Sequence, residues 1–553
     1  MLRRHNSGTR AWLASGEPWI WLNAAAVGIS ILAVAGLLTL IAVRGLAHFW
    51  PSDVRAVEYR DEFGQAQIAL GELADTESLS PRRYAEIFGA AEPQSATVER
   101  WLLKTGNRRY NPPDFRWLFA RDVTALSYPQ DVVVFERMEW GNAYGYLVSV
   151  SEAGAKVPTT DVWQTLNERL DRARGIRVNI DALEQTTLNE INYQLEQLRL
   201  ESRTLDSGNP RAAELDARSR ALQARYDTAE AELRALYELL KRDAIDIRLA
   251  SGQIVNTSLA DIVRAWRPNQ MSTLAKLGHY FTSMGLFVSE QPREANTEGG
   301  IFPAIFGTVM MVLLMSLLVT PLGVVAAVYL REYARQGAFV RLIRIAVNNL
   351  AGVPSIVYGV FGLGFFVYFI GGNIDQLFYP EALPAPTFGT PGLLWASLTL
   401  ALLTVPVVVV STEEGLTRIP RAIREGSLAL GATKAETLFK VVLPMASPSI
   451  LTGVILAVAR AAGEVAPLML VGVVKLAPTL PMDGNFPFVH LERKFMHLGF
   501  HIYDVGFQSH NVDAARPLVY ATALLLVLII IVLNLTAIML RNRLENRYRG
   551  VES

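Results

Sequence analysis

Long apolar runs alternate along this chain with polar stretches of very unequal length. The first, Ile20 to Val43, is long enough for a hydrocarbon core of roughly 30 Å, which needs about 20 residues. Five more follow in the C-terminal half, at Ile305–Leu330, Ala346–Ile370, Leu393–Val410, Ile450–Val474 and Leu518–Leu540. The pattern predicts an all-α polytopic membrane protein with six transmembrane helices. Residues 51–300 contain no run long enough to span and read as a water-exposed insert of domain size. A basic start precedes the first run, so a cleaved signal peptide competes with an uncleaved anchor at 19–44. The run is long for a signal sequence and no A-x-A site follows it, which favours the anchor.

Inside the insert the periodicity changes twice. Short strand-like pieces such as Val132–Phe135 and Tyr146–Val150 come first, and Asp246–Leu249 and Gln253–Val255 come last. Between them Leu188, Ile191, Leu195 and Leu198 recur at helical spacing, as do Leu215, Leu222, Tyr226, Ala229, Leu233, Leu236 and Leu240. Ser207-Gly208-Asn209-Pro210 separates the two stripes with turn chemistry. This predicts an antiparallel coiled-coil hairpin at about 176–243, inserted into a small α/β module. No catalytic constellation stands out in it.

Charge sets the expected orientation. Basic residues collect at Arg331, Arg335, Arg341 and Arg344, at Arg418, Arg421, Arg424, Lys434 and Lys440, and at Arg541, Arg543, Arg547 and Arg549, while 373–392 has none. Basic loops stay in the cytoplasm, so the termini at 1–18 and 542–553 are expected there and the insert outside. Globally, 52 Lys and Arg balance 52 Asp and Glu, which leaves no footprint for nucleic acid. The absence of cysteine excludes disulfides, Cys-ligated zinc, iron–sulfur clusters and thiol nucleophiles. No G-x-x-x-x-G-K-[ST] phosphate loop occurs, so any ATPase of that class driving this protein is another polypeptide.

Three stretches carry candidate chemistry. Residues 413–448 lie between two apolar runs, and within them Glu425, Gly431, Leu443 and Pro444 fall at the spacing E-x-x-x-x-x-G…[IV]-x-L-P. They read as a helix, a glycine turn and a second amphipathic helix, broken after Leu443. Leu428, Leu430, Leu438, Phe439 and Val442 supply apolar faces for a partner's groove. In the fifth run, Arg460 and Glu464 are four residues apart beside a small-residue stripe of Gly453, Ala457 and Ala461. A charge at that depth costs about 2.5–3.5 kcal/mol and must be paired or face water. The pair either fixes helix packing or lines an anion pathway, where a guanidinium offers several donors in one plane. In Gly352-Val353-Pro354-Ser355, Pro354 is expected to break the third run, either so that backbone N–H groups of the broken helix, from Ser355 on, aim at an anion or only so as to kink the bundle. His490, His497, His501 and His510 fall near one another, and an amphipathic surface helix explains them better than a metal site.

The coupling-loop spacing and the core Arg460-Ala461-Ala462-Gly463-Glu464 resemble the membrane subunits of type I ABC importers for oxyanions. The longer string Ala459 to Leu468, with Val465 where threonine is frequent, is similar to phosphate permeases of the PstA type, as is Leu350 to Gly359. The resemblance covers 301–541 and the anchor in position, but not the insert. It implies a type I importer core in a bacterial inner membrane, with no cofactor bound by this chain. ATP-Mg would be handled by a dimeric ABC ATPase. The other implied partners are a homologous second permease subunit, a periplasmic phosphate-binding protein and membrane lipid. Glu425, Gly431, Leu443 and Pro444 would then couple to the ATPase, and Arg460, Glu464, Pro354 and Ser355 would line the substrate pathway. Two alternatives stay open: a permease for molybdate or sulfate, and a membrane sensor with a periplasmic ligand-binding domain.

Overall fold

In a computed structural model, residues 16–61, 63–88, 97–110, 112–205, 209–509 and 512–549 are described. The basic start with Arg3, Arg4 and Arg10, the turn at Ser207-Gly208, His510 and the last four residues lie outside them. Six helices among the described residues are long and apolar enough to cross a membrane: Glu17–Ala47, Phe302–Tyr333, Ser355–Phe378, Leu393–Arg418, Lys434–Gly463 and Ala515–Arg543. We number these spans one to six.

The fourth span is the centre. Its Leu400, Leu403 and Val408 bury against Met311, Met315 and Val319 of the second span and against Ala457 and Ala461 of the fifth. Gly453 explains how close the fifth span comes. A Cβ there would stand 2.7 Å from the Ser411 Cβ, so only glycine fits. The small-residue stripe therefore packs as its spacing suggests. The first span lies at the periphery, with its side chains almost entirely exposed, and touches the sixth near Gly45 and Tyr520.

Two boundaries differ from the hydropathy reading. The third span begins at Ser355 and not at Ala346. An amphipathic helix, Ala338–Leu350, ends first, and Gly352-Val353-Pro354 separates the two. Proline denies the residue before it a helical backbone and lacks an N–H itself, so Pro354 sits just ahead of a new helix. In the fifth span, by contrast, Pro444 breaks nothing. Helix runs continuously from Lys434 to Gly463, because residues 438–442 adopt wider π turns immediately before the proline. That widening relieves the clash and the lost hydrogen bond that a proline brings.

The insert is β-rich. Antiparallel strands at Val54–Arg60, Ala66–Leu79, Val98–Lys104, Phe115–Phe119 and Val123–Ser127 make one sheet. A second is built from Val132–Arg137, Ala143–Glu152, Asp243–Arg248, Ile254–Ser258 and Ile262–Trp266. The strand-like pieces read from the sequence all fall in this second sheet. Ala143–Glu152 pairs directly with Asp243–Arg248, and the residues between them leave the sheet as a helical hairpin. One arm runs from Val162 to Arg203 and the other is Pro210–Lys241. None of the apolar stripe residues named above is exposed, and Tyr237 Oη donates to Glu184 across the arms at 2.9 Å.

His497 and His501 are fully buried, so the expected surface helix is an interior one. Phe495, Met496 and Leu498 go inward with them. His497 caps the short helix Leu498–Tyr503 by accepting from the Gly499 N–H at 3.1 Å. Among the described residues no three His, Cys, Asp or Glu side chains converge to hold a metal.

Burial pushes His497 down to about 3 and His501 to about 4, although Asp504 works the other way on the latter. Both are neutral in the fold but protonate near 6.5 when unfolded. The unfolded chain thus binds more protons below that value, and stability falls as pH drops from about 6.5 towards 4. Between pH 7 and pH 5 each histidine should cost about 2 kcal/mol. The thermal midpoint in detergent should be clearly lower at pH 5. His497→Asn, which keeps the cap acceptor, should shrink that difference; an unchanged difference would clear His497 of the effect.

Candidate functional site

The loop after the fourth span folds as an elbow. Pro420 starts a helix at Arg421–Ala429, Gly431 ends it with φ +87°, and a second helix begins after Thr433. Thr433 Oγ1 accepts from the Glu436 N–H at 3.2 Å while Glu436 accepts from the Thr433 N–H at 3.0 Å. This reciprocal capping box stabilises the second helix by about 1 kcal/mol. Thr433 and Glu436 were not singled out from the sequence, although T-x-x-E is the signal that could have found them.

Sequence reasoning missed what pins the elbow. Arg424 donates to the Leu416 and Ile419 carbonyls, each at 2.7 Å, and to Glu332 at 3.0 Å. Lys434 stacks over the Tyr333 ring at 4.4 Å. The end of the second span therefore grips both helices of the elbow. The charged border Arg331-Glu332 was the available signal, but nothing in it named a partner. The apolar residues also divide. Leu438 and Val442 bury against Val328, Leu416 and Ala446, contrary to the expectation that they face a partner. Leu428, Leu430 and Phe439 do point outward, Leu430 being 90% exposed. Glu425 is exposed on the same elbow. Leu443 and Pro444 belong to the inward-going helix.

The second candidate lies at the other end of the fifth span. Its helix stops at Gly463, and Glu464 is extended (φ −78°, ψ 132°). Arg460 is therefore in the last turn and not mid-helix, where its charge complements the partial negative charge of the helix end. Arg460 Nε lies 3.7 Å from Glu464 Oε1, with 35% of the arginine side chain exposed. The pair is loose. Beyond it, Pro467 packs against Gly359 of the third span. Tyr358 packs in the same buried cluster as Ala461 and Ala462 and donates its hydroxyl to the Leu350 carbonyl at 2.7 Å, across the break at Pro354. The end of the fifth span that carries Arg460 and Glu464 thus packs beside the third-span helix that carries Tyr358 and, one turn earlier, Ser355. Tyr358 was not singled out from the sequence, since a tyrosine in an apolar run carries no signal of its own.

Six spans, an elbow and a charged helix end describe a multi-pass membrane component of a transport system. Residues 319–550 match the model of the "Binding-protein-dependent transport system inner membrane component" family. The phosphate transport system permease protein PstA of Mycobacterium leprae is 39% identical over 188 residues, 34% of this chain and 56% of that protein. PstA 1 of Mycobacterium tuberculosis (strain H37Rv) is 34% identical over 244 residues, covering 44% of this chain and 70% of its own length. PstA of Yersinia pestis is 32% identical over 256 residues, covering 46% and 77%. The chain belongs to this family of PstA-type permease proteins. The match spans 56% to 60% of the length of the first curated relatives, and the insert lies outside the residues of the family match.

Proposed function

We propose that this chain is the membrane-spanning subunit of an ATP-driven phosphate importer, forming half of the pathway and drawing its power from a separate ATPase. The observation that carries this reading is Arg460, a partly exposed guanidinium at a helix end, held only loosely by Glu464. Such a group can exchange its carboxylate for a tetrahedral oxyanion and present several donors to it. The exposed Leu428, Leu430 and Phe439 on the elbow suit the groove of a dimeric ABC ATPase on the cytoplasmic side. The basic loops favour the same orientation, with both termini inside and the insert outside. A homologous second permease subunit and a periplasmic phosphate-binding protein complete the assembly by analogy with the family.

On this reading, ATP draws the ATPase halves together and carries the elbow with them. One helix from Lys434 to Gly463, with π turns at 438–442 and Pro448 inside it, joins the elbow to Arg460, so elbow movement is carried along this helix. Pro354 and Ser355 flank the same region from the third span. The paired helices of the insert hairpin fit a coiled-coil arm on the periplasmic side.

Uptake of radiolabelled phosphate by cells with and without this chain tests the proposal. Competition by phosphate but not by molybdate or sulfate is expected, and the reverse would assign another oxyanion. Gly431→Val offers a second check on the lever. A branched residue at φ +87° costs about 1–2 kcal/mol of local strain, enough to deform the elbow but not to expel the chain from the membrane. Uptake should fall several-fold at normal expression, and unchanged uptake would rule the lever out.

A further inference from the structure

The hairpin of the insert does not end in open space. From its first arm, Tyr193 donates its hydroxyl to the Phe486 carbonyl. Arg203, near the tip, donates to the carbonyls of Glu381 at 2.7 Å and Leu383 at 3.0 Å. Those carbonyls belong to the loops joining spans three to four and five to six. The arm from Val162 to Arg203 is about 60 Å long at 1.5 Å per residue, enough to cross the face of a helical bundle.

The second loop is stiff. Met482 stands opposite Val489 as a bridge, and the His490 ring lies between Asp483 at 2.9 Å and Glu492 at 3.1 Å. Arg493 closes the ribbon on Asp483 at 2.7 Å. From there backbone bonds continue inward. Leu393 and Leu394, at the head of the fourth span, donate to Arg493 and Leu491 at 2.9 and 2.8 Å. Gly392 donates to Val471 at 2.9 Å, at the end of the short helix that follows Arg460 and Glu464. Hydrogen bonds thus tie the loop that carries Phe486 to the short helix following the charged helix end.

The two ends of the hairpin are held very differently. At its base Arg177 donates to the carbonyls of Leu259, Ala260 and Ile262, and Asp243 is buried beside Arg172. Ala173, Ile180 and Leu240 bury an apolar cluster there. Towards the tip the anchors are fewer: Arg203 is an exposed side chain on loop carbonyls, and Tyr193 is half-buried with its ring 6.2 Å from that of His490. Their hydrogen bonds lie at the water-exposed surface and trade with water almost evenly.

We infer that the hairpin is a strap laid across the outer loops, fixed at its base, whose tip must release the 379–392 loop for the mouth to open during transport. This rests on the transport reading. The chain has no cysteine, so Arg203→Cys with Leu383→Cys gives two unique thiols. A short bis-maleimide with a reducible link should join them and lower phosphate uptake at least tenfold, with recovery on reduction. Glu201→Cys with Arg211→Cys, an ion pair between the two arms at 2.5 Å, joins hairpin to hairpin and should leave uptake unchanged when linked. Full uptake by the linked tip pair would overturn the strap. So would loss of uptake in the unlinked tip variant, because a restraint that must release cannot be required intact. No uptake by the natural chain would count against the transport reading instead. The strap would then be judged by linking yield in membranes, where failure to link Arg203→Cys to Leu383→Cys removes it.

Discussion

Arg460→Ala should abolish phosphate uptake while leaving the chain folded in the membrane. The two halves of that expectation come from different numbers. The pair with Glu464 is 3.7 Å apart and partly exposed, and such pairs contribute about 0–1 kcal/mol to stability. Losing it should barely move the thermal midpoint. Transport is another matter, because a charged donor group bound to an oxyanion contributes about 1.5–3 kcal/mol per hydrogen bond. Two such bonds from one guanidinium correspond to about a hundred-fold or more in uptake. Arg460→Lys should fall between, since an ammonium keeps the charge but not the planar fork. Retention of half the uptake by Arg460→Ala, with normal protein levels, would take Arg460 out of the pathway. A collapse of protein levels would favour the alternative reading, an ion pair that holds the bundle together.

The spans were legible because hydropathy is a summed property: one misplaced residue does not hide twenty apolar ones. Their ends were less so. Whether a proline breaks a helix depends on the turns around it, which is why Pro354 separates two helices while Pro444 is absorbed by the widened turns at 438–442. The stripe Gly453, Ala457 and Ala461 predicted its own burial, since only small residues let helices approach this closely. Arg460 and Glu464 were found by the cost of placing charge among apolar residues. The Arg424–Glu332 pair was not, because its two members lie 92 residues apart in sequence.

In the insert, the second sheet was visible through its apolar strands, and the hairpin through its helical stripes. The first sheet was not. Val54–Arg60 and Ala66–Leu79 carry scattered charged residues that match a half-exposed sheet but equally a loop. The docking of Tyr193 and Arg203 could not be read at all, because backbone carbonyls accept those bonds and any sequence supplies carbonyls.

The joint between insert and membrane domain yields the largest expected loss of stability. Glu136, on a strand of the second sheet, is buried between Arg264 at 2.5 Å and Arg293. Arg293 opens the segment that leads into the second span, and Asn296 just beyond it donates to the Lys475 carbonyl at 2.7 Å. Burial alone would raise the Glu136 carboxyl, but the two guanidinium groups outweigh it and hold the group below its ordinary range. Glu136→Ala leaves two largely buried arginines without their shared counter-ion, which costs about 3–5 kcal/mol. Glu136→Gln keeps the shape and one acceptor and should cost less. Acid should act in the same direction as the substitution: a depressed carboxyl contributes stability above its unfolded value, and that contribution is lost as pH falls through the folded one. Thermal unfolding of the purified protein in detergent, followed by tryptophan fluorescence, reads all three. A shift in Glu136→Ala no larger than about 1 kcal/mol would mean that Arg264 and Arg293 find water or other partners, and that the insert is joined to the membrane domain by something other than this clamp.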